Sequence, residues 1–372
     1  MTIEYTPVDV ACNLKCQYCY QTPMRDGGNA SSPSNWNKAR EELSRQNYEF
    51  TVFGGEPLLA PMEHLEEVFQ FGYERFGRNG IQTNGVLLTQ GHIDLFRKYN
   101  VGVGVSCDGP GALSDLRGPR ATTDATLSAI EKLCSAYLFP SIIVTVHKLN
   151  TSITARAELF RWFSHLQRLG VQSINLHMLE LEYGMEHLAL TERENTEAFK
   201  SLYTYARTSP IDFQPFLDIH RLLTGFDANK ANCIWQACDP LTTPAVSGVS
   251  RDGTKRNCGR VNKDGVNWVK SDTGGSERYL VLHQTPIEHG GCKDCDYFVF
   301  CKGNCPGTAI DGDWRNRSVH CKTWYSIFEL TERDIILSGG LPISRQPERL
   351  QEMTNRFIAK CGGKVEVVAK WI

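Results

Sequence analysis

Three cysteines crowd into one short stretch, Ala11-Cys12-Asn13-Leu14-Lys15-Cys16-Gln17-Tyr18-Cys19-Tyr20, with no fourth beside them. Structural zinc sites and ordinary ferredoxin clusters are closed by four protein ligands, whereas three thiolates from one loop leave one iron of a cubane cluster uncapped. An uncapped iron is a place for chemistry. Three buried thiols or an incomplete zinc site are the bland readings of the same spacing. A second, longer pattern follows, Cys292-x2-Cys295-x5-Cys301-x3-Cys305-x15-Cys321, with Cys233, Cys238 and Cys258 upstream of it. The chain holds 14 cysteines, and nothing in Met1 to Val10 resembles a signal peptide. Metal ligation therefore accounts for the clustering better than disulfides, and a pair of structural zinc sites is the alternative for the second region.

The residues that could serve the N-terminal loop lie at expected strand ends. Phe53-Gly54-Gly55-Glu56-Pro57 offers paired glycines for close backbone approach and a carboxylate able to pair with an ammonium. Ile81-Gln82-Thr83-Asn84-Gly85 and Val105-Ser106-Cys107-Asp108-Gly109-Pro110 end two further runs. His177, Glu180, Glu182 and Tyr183 follow another, as candidate substrate contacts or proton acceptors. Asp311 and Asp313, between two cysteines of the second region, have similar standing, and all six could equally be solvated loop residues.

Positioning these groups requires a βα rhythm, and residues 1–212 carry one. Expected strands are Thr2 to Val10, Phe50 to Phe53, Gly80 to Thr83, Val101 to Val105, Ser141 to Val146 and Ser173 to Met178. Helices are expected over Pro61 to Phe76, Thr89 to Tyr99, Thr123 to Tyr137, Ser152 to Leu169 and Thr191 to Arg207, the last opened by a Thr191/Glu194 capping box. The stretch from Gln21 to Trp36, rich in Gly, Asn, Ser and Pro, reads as a surface loop. Six βα units suggest an α/β parallel sheet that curls into a partial barrel, or an open doubly wound sheet. From Phe213 the rhythm stops, so the division is 1–212 and 213–372. In the second part, Arg251-Asp252-Gly253-Thr254 reads as a hairpin turn. Helices are expected from Cys321 to about Leu337 and near Arg345 to Lys360, with a strand-like end from Val365 to Ile372.

Composition excludes several partners. Lys plus Arg total 40 against 42 for Asp plus Glu, a net charge of −2, so no global field points to nucleic acid or an anionic membrane. The longest apolar run, near Ala136 to Val146, is broken by Pro140 and Ser141 and is too short to span a bilayer. The expected location is cytoplasmic.

The motifs resemble those of the radical SAM (S-adenosylmethionine) superfamily. In that family the free iron chelates the amine and carboxylate of SAM, an electron enters the sulfonium, and the 5′-deoxyadenosyl radical abstracts a hydrogen atom. The resemblance implies a partial (β/α)6 TIM-like barrel with the cluster loop after its first strand, Cys12, Cys16 and Cys19 as cluster ligands, and Tyr18 at the adenine. It implies that Gly54, Gly55, Glu56 and Pro57 bind the SAM amine, with Asn84 in a further motif. Ser106 and Asp108 fall near ribose and carboxylate. An arginine after Asp115 should pair with that carboxylate, and Arg117 is preferred over Arg120. The second region is similar to the SPASM extension, which carries auxiliary 4Fe-4S clusters. The family's interleaved ligation implies Cys233, Cys238, Cys258 and Cys305 on one cluster and Cys292, Cys295, Cys301 and Cys321 on the other. Three 4Fe-4S clusters result, and Cys107, Cys134 and Cys361 remain ordinary thiols.

Relatives with SPASM regions act mostly on peptides and proteins, so the resemblance implies a maturase of a ribosomally made peptide: cross-linking, epimerisation or backbone excision. The alternatives are a sulfatase-type protein maturase, a radical dehydrogenase of aminoglycoside-like small molecules, and a non-enzymatic, zinc-stabilised interaction module. Expected partners are a precursor peptide with its leader and an electron donor such as flavodoxin or ferredoxin. Only Met1 to Ala11 precede Cys12, which suggests a separate leader-binding protein.

Overall fold

The computed structural model describes residues 2–26, 34–180, 186–225, 231–242, 246–261 and 277–360. Its centre is a nine-stranded sheet. In chain order the strands are β1 (Thr2–Thr6), β2 (Phe50–Val52), β3 (Asn79–Thr83), β4 (Val101–Ser106), β5 (Ser141–Val146), β6 (Ser173–Met178), β7 (Asp212–Gln214), β8 (Val246–Ser250) and β9 (Lys255–Arg256). Their spatial order is β7-β6-β5-β4-β3-β2-β1-β8-β9. All neighbours are parallel except β8 and β9. The sheet is a partial barrel of the expected α/β kind, and it is not closed.

Period-two alternation divides its two faces. On β5 and β6, Ile142, Val144, Val146, Ile174, Leu176 and Met178 are buried. The alternate residues Ile143, Thr145, Asn175 and His177 line a central cavity, paired side by side in register. Flanking helices include Met62–Phe76, Gln90–Lys98, Arg120–Ser135, Ile153–Arg168 and Glu192–Ala206. The Thr191/Glu194 capping box is formed as expected.

Differences from the sequence reading have physical reasons. β1 stops at Thr6 rather than Val10, because Pro7 has no N–H for a strand paired on both sides and Asp9 takes φ 51°. The helix expected from Thr123 begins at Arg120, directly after Pro119. A helix at Trp36–Gln46 was not expected; Asn35 caps it by accepting from the Lys38 N–H. The loop from Gln21 contains a short helix, Thr22–Asp26. The expected turn over Arg251 to Thr254 joins β8 to β9, with Gly253 N–H donating to Ser250 O at 2.9 Å.

Residue 213 lies within β7, and the second region returns to the sheet when β8 pairs with β1. The Cys321–Leu337 helix packs on Glu192–Ala206. Tyr203 OH donates to Asp334 at 2.8 Å across that contact. One apolar core runs from Ile3 through Trp235, Trp324 and Phe328. The tail helix is Pro347–Lys360, whereas Cys361 and the strand expected over Val365 to Ile372 lie outside the described residues. Among the described residues, no helix is long and apolar enough to cross a membrane.

Candidate active site

The loop after β1 carries Cys12, Cys16 and Cys19, and it is zipped to the loop after β2. Gly55 N–H donates to Asp9 O at 2.7 Å and Glu56 N–H to Ala11 O at 2.8 Å. A Cβ on Gly55 would stand 1.9 Å from Ala11 O, and one on Gly54, at φ 119°, 2.4 Å from Asp9 O. Only glycine permits this approach. Glu56 is 1% exposed. Its Oε1 accepts from Leu58 N–H (3.0 Å) and Thr83 Oγ1 (2.6 Å), and its Oε2 from Asn84 N–H (2.7 Å). Burial raises its pKa, opposed by these bonds. A carboxylate accepts about four hydrogen bonds, so capacity remains toward the cavity that Glu56 lines. Asn84 Nδ2 donates to Asn13 Oδ1 at 2.8 Å and so holds the cysteine loop from β3. Pro57 opens a short 3-10 turn behind the motif.

Beneath the loop lies a second network. Asp108 is fully buried; it accepts from Tyr18 OH and from Thr145 N–H (2.9 Å), with His147 Nε2 3.4 Å away. Burial opposes its charge, yet the hydrogen bond from His147, together with Arg117 and Tyr18, holds its pKa below the ordinary value. Arg117 Nη1 donates to Tyr18 OH at 2.9 Å, and its carbonyl faces Cys16 Sγ at 3.5 Å. Ser106 and Arg117 line the cavity, whereas Asp108 does not. Asp108, outside the cavity lining, holds Tyr18, and Tyr18 in turn accepts from Arg117. Arg120 pairs with Asp124 on the surface. Tyr18, expected at the adenine, packs against the His147 ring at 5.8 Å.

The cavity, of about 360 Å³, runs from Cys12, Cys16 and Cys19 to Cys233, Cys238, Cys258 and Cys305. Its wall includes a cluster that sequence reasoning only half found. Arg260 Nε pairs with Glu180 Oε1 at 2.8 Å, and Arg260 Nη2 lies 3.1 Å from His177 Nδ1. A guanidinium can only donate, so Nδ1 accepts and the ring proton sits on Nε2. Burial, and then Arg260, push the His177 pKa down to about 3. Of the two roles its position suggested, substrate contact or proton acceptor, this tautomer leaves neutral His177 the first, as an Nε2–H donor. Arg260 had no signal in the sequence beyond standing two residues after Cys258. Tyr20, directly after Cys19, also lines the cavity and feels Glu4, Arg260 and Glu180. Asp311 is exposed, at φ 58°, and outside the cavity lining. Asp313 pairs with Arg315 on the surface. The structure does not bring these two aspartates to the site. Glu182 and Tyr183 lie outside the described residues.

The cysteines associate in three groups. Cys16 is raised to about 11, first by burial, with Cys19 and Cys12 adding to it. Cys258 is raised by burial and then by Glu4, Cys238, Cys305 and Cys233. Cys292 is raised to about 12 by burial, then Cys321 and Cys295, and Cys301 by burial, then Cys321, Cys292 and Cys295. Burial and mutual repulsion both oppose thiolates here, so each group suits a centre of high positive charge. Among the described residues, no group of three or more His, Cys, Asp or Glu is gathered to hold a single metal ion. A cubane distributes its thiolates over separate irons and does not ask them to converge.

Residues 7–163 match the family model described as the radical SAM superfamily. The chain carries a radical SAM domain. It is an enzyme, and such a domain works with SAM and a 4Fe-4S cluster, for which the three-thiol loop is suited. The cysteine-type anaerobic sulfatase-maturating enzyme of Clostridium perfringens (strain 13 / Type A) is 23% identical over 363 residues, 88% of this chain and 95% of that protein. A serine-type anaerobic sulfatase-maturating enzyme of Klebsiella aerogenes is 31% identical over 156 residues, 38% of each chain. Among solved structures, native anSMEcpe with bound AdoMet and Cp18Cys peptide matches with a TM-score of 0.69 at 17% identity, over 91% of this chain and 98% of that one. Streptococcus suis SuiB bound to precursor peptide SuiA matches at 0.52 and 14% identity, over 73% and 61%. At these identities the structural matches speak for the fold, an open partial barrel.

Proposed function

We propose that this radical SAM enzyme modifies a ribosomally made peptide within the central cavity, using one 4Fe-4S cluster at Cys12, Cys16 and Cys19 and two auxiliary clusters in the region from residue 213. The observation that carries the reading is the cavity itself, which joins the three-thiol loop to the Cys233, Cys238, Cys258 and Cys305 group. When bound, cluster and SAM supply one-electron cleavage and hydrogen-atom abstraction. The chain's own groups do the rest. The Gly54 and Gly55 backbone and the Glu56 carboxylate hold the SAM ammonium, and Arg117 holds its carboxylate. Neutral His177 donates from Nε2 to a substrate carbonyl, while Arg260 fixes Glu180 on the same wall. Cys292, Cys295, Cys301 and Cys321, away from the cavity, ligate the second auxiliary cluster. A flavodoxin or ferredoxin supplies electrons, and a separate leader-binding protein presents the precursor.

A second reading, maturation of a sulfatase-type protein, is favoured by what the curated relatives are called. Reduced enzyme and SAM should be incubated with short peptides encoded beside its gene, with and without any small neighbouring binding protein, and the peptides weighed. Loss of two hydrogens indicates a cross-link or oxidation, unchanged mass with deuterium uptake an epimerisation, and loss of a larger fragment an excision. Change confined to a sulfatase-type peptide would replace the first reading with the second.

A further inference from the structure

Arg278, in the first turn of the Glu277–Gln284 helix, is 1% exposed. A guanidinium this deep costs several kcal/mol in lost hydration unless hydrogen bonds and opposite charge replace the water, on the order of the penalty for any buried ion. The hydrogen bonds are present. Nε donates to Trp314 O (2.5 Å), Nη1 to Cys238 O (3.3 Å) and Asn304 O (2.9 Å), and Nη2 to Gly303 O (3.3 Å) and Asn316 O (2.8 Å). These acceptors match the five donors of the fork, but they are neutral carbonyls. Its backbone N–H meets the Asp239 carboxylate at 3.0 Å.

The acceptors fall on three segments that carry cluster cysteines. One is Cys238 itself, one is 303–304 between Cys301 and Cys305, and one is 314–316 ahead of Cys321. Charge follows the same geometry, since the thiols bearing on the guanidinium are Cys238 and Cys305 of one group and Cys292 and Cys301 of the other. Other cations beside the cysteines act more locally. Arg117 bears on Cys16, Arg260 on Cys233 and Cys305, and Lys302 on Cys301.

We propose that Arg278 is the shared counter-charge of the two auxiliary clusters, raising the reduction potential of both and coupling them through one fixed positive charge. The inference rests on the cluster reading above. A cubane on four thiolates is already anionic and gains another negative charge on reduction, so a desolvated cation beside it favours the reduced state. Arg278 is a positioning and tuning residue, since nothing places it at the substrate.

The test uses the full-length chain with Cys12, Cys16 and Cys19 changed to alanine, so that only the auxiliary clusters remain, and adds Arg278→Lys or Arg278→Gln. Iron and sulfide are counted, and both clusters are titrated with dithionite and mediators while EPR is recorded. Arg278→Gln should lower both potentials by about tenfold in the reduction equilibrium, about 59 mV for a one-electron couple. Arg278→Lys, which keeps the charge, should leave both near the parent values. Iron-loaded Arg278→Gln with unmoved potentials, a shift of one cluster alone, or an equal shift in Arg278→Lys overturns the inference. If Arg278→Gln fails to retain iron, Arg278→Lys decides: unmoved potentials support the shared charge, and lowered ones refute it. A parent chain without iron and sulfide would overturn the cluster reading itself, a result distinct from any of these.

Discussion

Gly55→Ala should dismantle the proposed SAM cradle by steric means alone. The new Cβ would stand 1.9 Å from Ala11 O, 2.4 Å from Ala11 C and 2.6 Å from Val10 C, all backbone atoms that no rotamer change can move. The loop after β2 must therefore part from the cysteine loop. That separation loses the bonds from Gly55 N–H to Asp9 O and from Glu56 N–H to Ala11 O. Two buried backbone hydrogen bonds are worth roughly 1 kcal/mol each, and overpacking adds about 1–3 kcal/mol. The expected loss is about 3–5 kcal/mol in urea unfolding, together with weaker SAM binding and lower iron at the N-terminal site. Gly102→Ala is the control, since its Cβ would meet only Asn79 O, at 3.6 Å; it should be neutral or stabilise slightly. Gly55→Ala indistinguishable from Gly102→Ala in unfolding midpoint, iron and SAM affinity would refute the steric argument.

Three further outcomes are expected. Glu56→Gln should weaken SAM binding by about 2 kcal/mol, roughly 30-fold, with iron unchanged, as measured by calorimetry. Arg260→Met strands the nearly buried Glu180; because the Arg260 side chain is itself 27% exposed, the cost should lie toward the low end of roughly 3–5 kcal/mol in urea unfolding. The pKa of Asp108 lies below its ordinary value of about 3.9, so the unfolded chain binds more protons in that window and stability rises with pH. Wild type should lose this contribution as pH falls through the folded pKa, and Asp108→Asn should show a flatter acid limb.

Much of the barrel was legible because its strands alternate. Ser141–Val146 and Ser173–Met178 match their expected bounds, since branched apolar residues at every second position leave little freedom in a half-buried strand. What escaped was long-range or three-dimensional. The pairing of Val246–Ser250 with Thr2–Thr6 joins segments far apart in sequence, and no local pattern announces it. Glu56 was readable from its glycines, whereas Arg260 and Arg278 are ordinary arginines until their partners are known. Asp311 errs in the opposite direction: its place between two cysteines suggested a role that its exposure does not support.

The most direct measurement is iron and acid-labile sulfide per chain, on protein purified without oxygen, beside the variant with Cys12, Cys16 and Cys19 changed to alanine. Both are then assayed for 5′-deoxyadenosine after reduction with SAM. Three cubanes predict about twelve irons and twelve sulfides, falling to about eight of each in the variant, with 5′-deoxyadenosine formed only by the parent. Zinc without sulfide in the parent, or undiminished 5′-deoxyadenosine from the variant, would contradict the account.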